Sequence, residues 1–74
     1  REDLERGIAT LSPREREVMT LVAEGLPNKS VATRLDLSTR TVENHVASLM
    51  TKTGQRDRVA LGAFAAAAEA TDQG

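Results

Sequence analysis

The chain has 74 residues, 39% hydrophobic and 28% charged, with a formal net charge of −1. So short a chain holds one small core and no substrate-sized cavity. It has no cysteine and a single histidine, His45, which excludes disulfide staples, thiolate metal sites and histidine clusters, and no cofactor is expected.

The opening stretch "REDLERGIAT" is highly charged, with Leu4 and Ile8 four residues apart, and residues 1–10 read as a linker or a frayed helical turn. The chain starts at Arg1 rather than methionine, so a piece of a longer protein is expected. A helix start follows at "LSPREREV": Ser12 is a good N-cap, Pro13 suits the first helical position, and Glu15 closes a capping box. This helix is expected over 13–24, with Val18, Met19, Leu21 and Val22 inward and Arg14, Arg16 and Glu17 outward. Gly25 ends it, and Leu26 folds back over the last turn.

A second helix, 28–35, turns Val31, Ala32 and Leu35 inward. Either Asn28 caps it or Pro27 opens it, and the pattern leaves both open. After the tight connection "DLS", Ser38 caps a third helix, 39–52, whose apolar stripe is Val42, Val46, Leu49 and Met50. Gly54 stops it. Asp57 caps a fourth helix, 57–70, rich in alanine, in which Gly62 and the alanines imply close approach by another helix. Residues 71–74 read as a frayed tail. No strand-like alternation occurs, and the expected fold is an all-α, four-helix domain over 11–70.

Charge is segregated along the chain. Residues 1–28 carry −2, residues 29–58 carry +3, and residues 59–74 carry −2. The basic middle suits a phosphate backbone or an ordinary solvated surface. No run is long and apolar enough for a membrane span, and a soluble cytoplasmic protein is the expectation. With no second histidine, no cysteine and no glycine-rich phosphate loop, the residue inventory argues against an enzyme.

Two short helices joined by a tight turn, the second longer and serine-capped, follow the pattern of a helix-turn-helix. At about 100° per residue, Arg40, Glu43, Asn44 and Ala47 share one outward stripe of the third helix, opposite its apolar stripe. Thr39, Thr41, His45 and Ser48 lie on the shoulders. Arginine can bond guanine, asparagine adenine and glutamate cytosine, and alanine can meet a thymine methyl. The competing reading is a polar face that touches only water.

The motifs "LSPREREV", "AEGLPNKSVA", "TVENHV" and "GQRDR", in this order, resemble the LuxR-type (GerE-like) DNA-binding domain of bacterial regulators over residues 11–58. The resemblance implies sequence-specific binding of double-stranded DNA by the output domain of a transcriptional regulator, as in two-component response regulators. It places Arg40, Glu43, Asn44 and Ala47 at bases. Lys29, Thr39, Thr41, His45, Ser48 and Lys52 fall at or beside phosphates, with the dipole of the second helix aiding Lys29. It also implies a homodimer through the last helix (Val59, Ala60, Ala63, Phe64, Ala67) on an inverted repeat, and admits RNA polymerase as a further partner.

The sequence departs from the family pattern at several points. Glu43 stands where lysine is frequent and Ala47 where the residue is often polar or basic, so base contacts differ and electrostatic attraction is weaker. Pro27 and Ser30 replace the usual cap and its glutamate partner, while Thr53 and Gln55 replace leucine and valine, which questions the packing of helix four on helix three. Ala63, Phe64 and Ala67 share a face that is core or dimer surface, with core favoured for Phe64. His45 is read as a phosphate contact or a partly packed histidine, and Glu43 as a solvated residue or a guard against wrong sequences. The alternatives to DNA reading are a helical protein-interaction module, and a sigma-factor-like helix-turn-helix acting only within a larger complex.

Overall fold

The computed structural model describes residues 10–73, with side chains through residue 70. The expected linker therefore lies outside the described residues except for Thr10. Four helices follow: α1 (Pro13–Ala23), α2 (Asn28–Leu35), α3 (Thr39–Thr53) and α4 (Arg58–Gln73). No strand occurs among the described residues. Each expected helix forms within a residue or so of its predicted start, and α4 extends three residues beyond its predicted end.

The capping box forms as the sequence foretells. Ser12 Oγ accepts from the Glu15 amide at 3.1 Å, and Glu15 Oε1 accepts from the Ser12 amide at 2.9 Å. At the other end of α1, the Gly25 amide bonds the Val22 carbonyl at 2.9 Å and the Leu26 amide the Leu21 carbonyl at 3.2 Å. This is a Schellman closure, and it holds Gly25 at φ +87°. A Cβ built at Gly25 meets nothing within 4 Å, so crowding is not what demands glycine there. Gly25→Ala is therefore expected to cost about 1 kcal/mol through left-handed backbone alone. Urea unfolding of the two proteins measures it, and an unchanged midpoint would contradict the assignment.

Neither proposed start of α2 is correct as framed. Pro27 is itself the cap residue, extended at φ −70° and ψ 162°, with no side-chain cap bond, and Asn28 is the first helical residue. Proline's fixed φ suits that extended geometry, and its carbonyl still accepts the Val31 amide at 3.0 Å. Asn28 is free of capping duty, and its Oδ1 accepts a hydrogen bond from Arg58 Nη1. The other arm of the same guanidinium donates to the Leu26 carbonyl. One arginine at the head of α4 thus pins both ends of the α1–α2 connection.

The turn into α3 runs through Asp36 at φ +57°, a left-handed residue that is not glycine. The cost is tolerated because the Leu37 amide reaches the Ala32 carbonyl at 2.9 Å, closing α2 and swinging Leu37 back onto the core. Ser38 caps α3 by accepting from the Thr41 amide at 3.0 Å. Asp57 caps α4, its Oδ1 accepting from the Ala60 amide at 2.8 Å.

The core is drawn from all four helices. Val18, Val31, Val42, Leu49 and Leu61 are fully enclosed, and Leu11, just before α1, is buried with them. Thr53 is buried where leucine was the family expectation, and its hydroxyl donates to the Leu49 carbonyl at 2.7 Å. That bond removes most of the penalty of burying a hydroxyl. Helix α4 packs chiefly on α1 and less on α3, so the contact called into question at Thr53 is not the one that carries α4. Where α4 crosses α1, a Cβ at Gly62 would lie 3.6 Å from the Val22 carbonyl oxygen, an ordinary contact distance. The close approach inferred from Gly62 exists, but it does not require glycine.

Candidate nucleic-acid interface

Helix α3 divides cleanly by face. Val42, Val46 and Leu49 are buried, while Arg40, Glu43, Asn44 and Ala47 are all exposed on the opposite stripe. The side chains of Arg40, Glu43 and Asn44 bond no other described residue. A stripe that holds a guanidinium, a carboxylate and an amide without internal partners has its whole hydrogen-bonding capacity facing outward.

The shoulder positions are less uniform. Thr39 is exposed, and Lys29 is exposed at the second position of α2, whose amino end has no side-chain cap. His45 is half-buried. Thr41 is half-buried and its hydroxyl oxygen accepts from Ser38 Oγ at 2.8 Å. Ser48 and Lys52 both turn toward Glu15. Ser48 Oγ donates to Oε2 at 2.5 Å, and Lys52 Nζ donates to Oε1 at 2.8 Å and to the Thr10 carbonyl at 3.3 Å.

Glu15 is only 5% exposed, yet every hydrogen bond its carboxylate accepts stabilises its charged form. The Lys52 ammonium, then the Ser12 amide and the Ser48 hydroxyl, outweigh the burial that favours the neutral acid, and its pKa is held down at about 2. The sequence reading gave Glu15 a cap and nothing more. A signal was present, because Glu15 falls on the same i, i+3, i+4, i+7 stripe as Val18, Met19 and Val22, and a carboxylate in an apolar stripe needs a partner. Which partner is a tertiary matter. Arg58 was likewise missed, and its engagement with Asn28 and Leu26 withdraws it from the basic surface.

The last helix presents Val59 at 84% exposure, with Ala63 and Ala67 exposed and Ala60 half-buried. Phe64 is half-buried and packs against the core, the preferred reading for it. No helix among the described residues is long and apolar enough to cross a membrane, and no cluster among them could hold a metal ion.

Residues 9–65 match the family described as "Bacterial regulatory proteins, luxR family". The chain is 46% identical over 55 residues to the nitrate/nitrite response regulator protein NarL of Escherichia coli (strain K12), covering 74% of this chain and 26% of that protein. It is 54% identical over 50 residues to the transcriptional regulatory protein FixJ of Rhizobium meliloti, covering 68% and 24% respectively. Response regulator Rre1 of Synechocystis is 48% identical over 54 residues, covering 73% of this chain and 23% of that protein. The chain thus spans about a quarter of the length of these relatives. Four helices with α2 and α3 joined by a tight turn, an outward polar stripe on α3 and a match over residues 9–65 lead to one conclusion: the chain belongs to the luxR family of bacterial regulatory proteins and is a helix-turn-helix DNA-binding domain.

Proposed function

We propose that the chain is the output domain of a cytoplasmic transcriptional regulator and reads duplex DNA by laying α3 in the major groove. The observation that carries this reading is the exposed stripe of Arg40, Glu43, Asn44 and Ala47 on α3, whose three polar side chains bond no other described residue. In a helix-turn-helix the second helix meets base edges with its amino-terminal part, which is where this stripe begins. Lys29 and Thr39 flank it and are assigned to phosphates, with His45 beside them. The alanine face of α4 around the exposed Val59 is assigned to pairing of two copies, which would set two recognition helices on an inverted repeat. RNA polymerase is the further partner such a regulator would meet.

Selection of bound sequences from a random duplex library at stated salt tests the reading, with an inverted repeat of constant spacing as the expected product. On the selected site, Asn44→Ala should relax preference at one base pair by about 1–3 kcal/mol. Lys29→Ala should instead weaken all duplexes alike and shrink the salt slope by about 0.9. Should both variants bind as the parent does, these positions do not touch DNA.

A further inference from the structure

We infer that Glu15, Ser48 and Lys52 form an internal brace that sets the pose of the recognition helix, and that Lys52 acts inside the protein rather than on a DNA phosphate. The inference rests on the DNA reading above and revises the assignment of Ser48 and Lys52 as phosphate contacts.

Both oxygens of the Glu15 carboxylate are engaged, Oε1 by the Ser12 amide and Lys52 Nζ, and Oε2 by Ser48 Oγ. Ser48 and Lys52 stand four apart on α3 and so share one face of it. Two anchors along one face restrain the rotation of a helix about its axis as well as its position. The carboxylate that receives them is buried in α1 and fixed by its own capping box, so the brace ties α3 to a rigid element. Lys52 also bonds the Thr10 carbonyl, just before α1 begins.

The donor inventory argues against a second duty on DNA for Ser48, and for Lys52, whose ammonium keeps a third proton, the argument is one of charge. A serine hydroxyl has one proton, and Ser48 gives its proton to Glu15; a phosphate can only accept, so Ser48 cannot serve it without letting go. An ammonium 2.8 Å from a buried carboxylate presents little net field, and moving it to a phosphate would leave that carboxylate without its counter-charge. Of the six basic residues between 29 and 58, the exposed Lys52 and the half-buried Arg58 bond other residues of the domain, while Lys29, Arg34, Arg40 and Arg56 are exposed. Base reading depends on directional hydrogen bonds, whereas phosphate attraction tolerates misplacement, so loss of the brace falls on specificity first.

The test measures affinity for the selected site and for an unrelated duplex across a salt series. The proteins are the parent, Glu15→Gln, Lys52→Met, the double variant, and Lys29→Ala as the phosphate control, each confirmed folded by circular dichroism at the assay temperature. Glu15→Gln and Lys52→Met are each expected to lower the ratio of specific to non-specific affinity by about tenfold, with little further loss in the double variant. Lys52→Met should leave the salt slope at the parent's value, while Lys29→Ala reduces it. The inference is overturned if Lys52→Met cuts the slope by about 0.9, as removal of a phosphate contact would. It is also overturned if Glu15→Gln tightens binding by releasing the lysine, or if neither variant alters the ratio. A parent that binds no duplex at low salt would instead refute the DNA reading itself.

Discussion

Glu15→Ala is expected to lower the stability of this domain by about 2–3 kcal/mol. About 1 kcal/mol is the ordinary cost of losing a helix cap, here the bond from the Ser12 amide that completes the box on α1. The rest comes from breaking the pair with Lys52 and leaving the Ser48 hydroxyl without its acceptor. Removing one partner of a fully buried ion pair costs about 3–5 kcal/mol. The Lys52 side chain is 35% exposed and can be rehydrated, so the penalty here falls toward or below the lower end.

The same carboxylate makes stability depend on pH in a defined window. In the unfolded chain Glu15 titrates near its ordinary value of 4.5, and in the folded domain only at about 2. A depressed folded pKa means that the contribution is fully present above about pH 4.5 and is lost as pH falls toward 2. Urea unfolding of the parent and of Glu15→Gln at pH 7, 4, 3 and 2 checks this. The gap between them should be largest at pH 7, shrink below 4.5 and close near 2. A gap of constant size would show that charge on Glu15 is not its source.

Leu61→Ala is the second large effect, at about 3 kcal/mol within the range of 2–5 seen for buried leucines. Leu61 is fully enclosed on the first turns of α4, the helix that packs chiefly on α1. Truncation removes apolar burial and leaves a cavity between elements that a short chain has no spare mass to collapse. Domains of this size hold only about 3–5 kcal/mol from one hydrophobic core, so the variant is expected to be largely unfolded near body temperature. Thermal melting should show a midpoint lower by about 12 °C or more. Val59→Ala on the same helix is the control: its side chain is 84% exposed, and the monomer should change by less than about 0.5 kcal/mol. Equal losses at the two positions would mean that α4 is not docked as described.

Helix existence was legible in the sequence because its signals are local. Ser12 with Glu15, Gly25, Ser38, Gly54 and Asp57 each act on backbone groups within a few residues, and the structure places each at the predicted helix end. The outward stripe on α3 was legible for the same reason, since one helical period separates Val42 and Val46 from Arg40, Glu43 and Asn44 whatever the rest of the fold does. Where local signals were mixed, the outcome was not readable. Pro27 had to be both breaker and cap, and Asp36 enters the left-handed region without the glycine that advertises it.

The sequence by itself therefore determined the four helices, their inward faces and the outward polar stripe of α3, because capping and periodicity operate between neighbours. Only the tertiary structure decided that α4 rests mainly on α1, that Arg58 clamps the α1–α2 connection, and that Ser48 and Lys52 answer to Glu15. Those partners lie 30 or more residues apart. Nothing in local propensity says which helix face will meet which, and the charge of a lysine reads the same in sequence whether it faces a phosphate or a buried carboxylate.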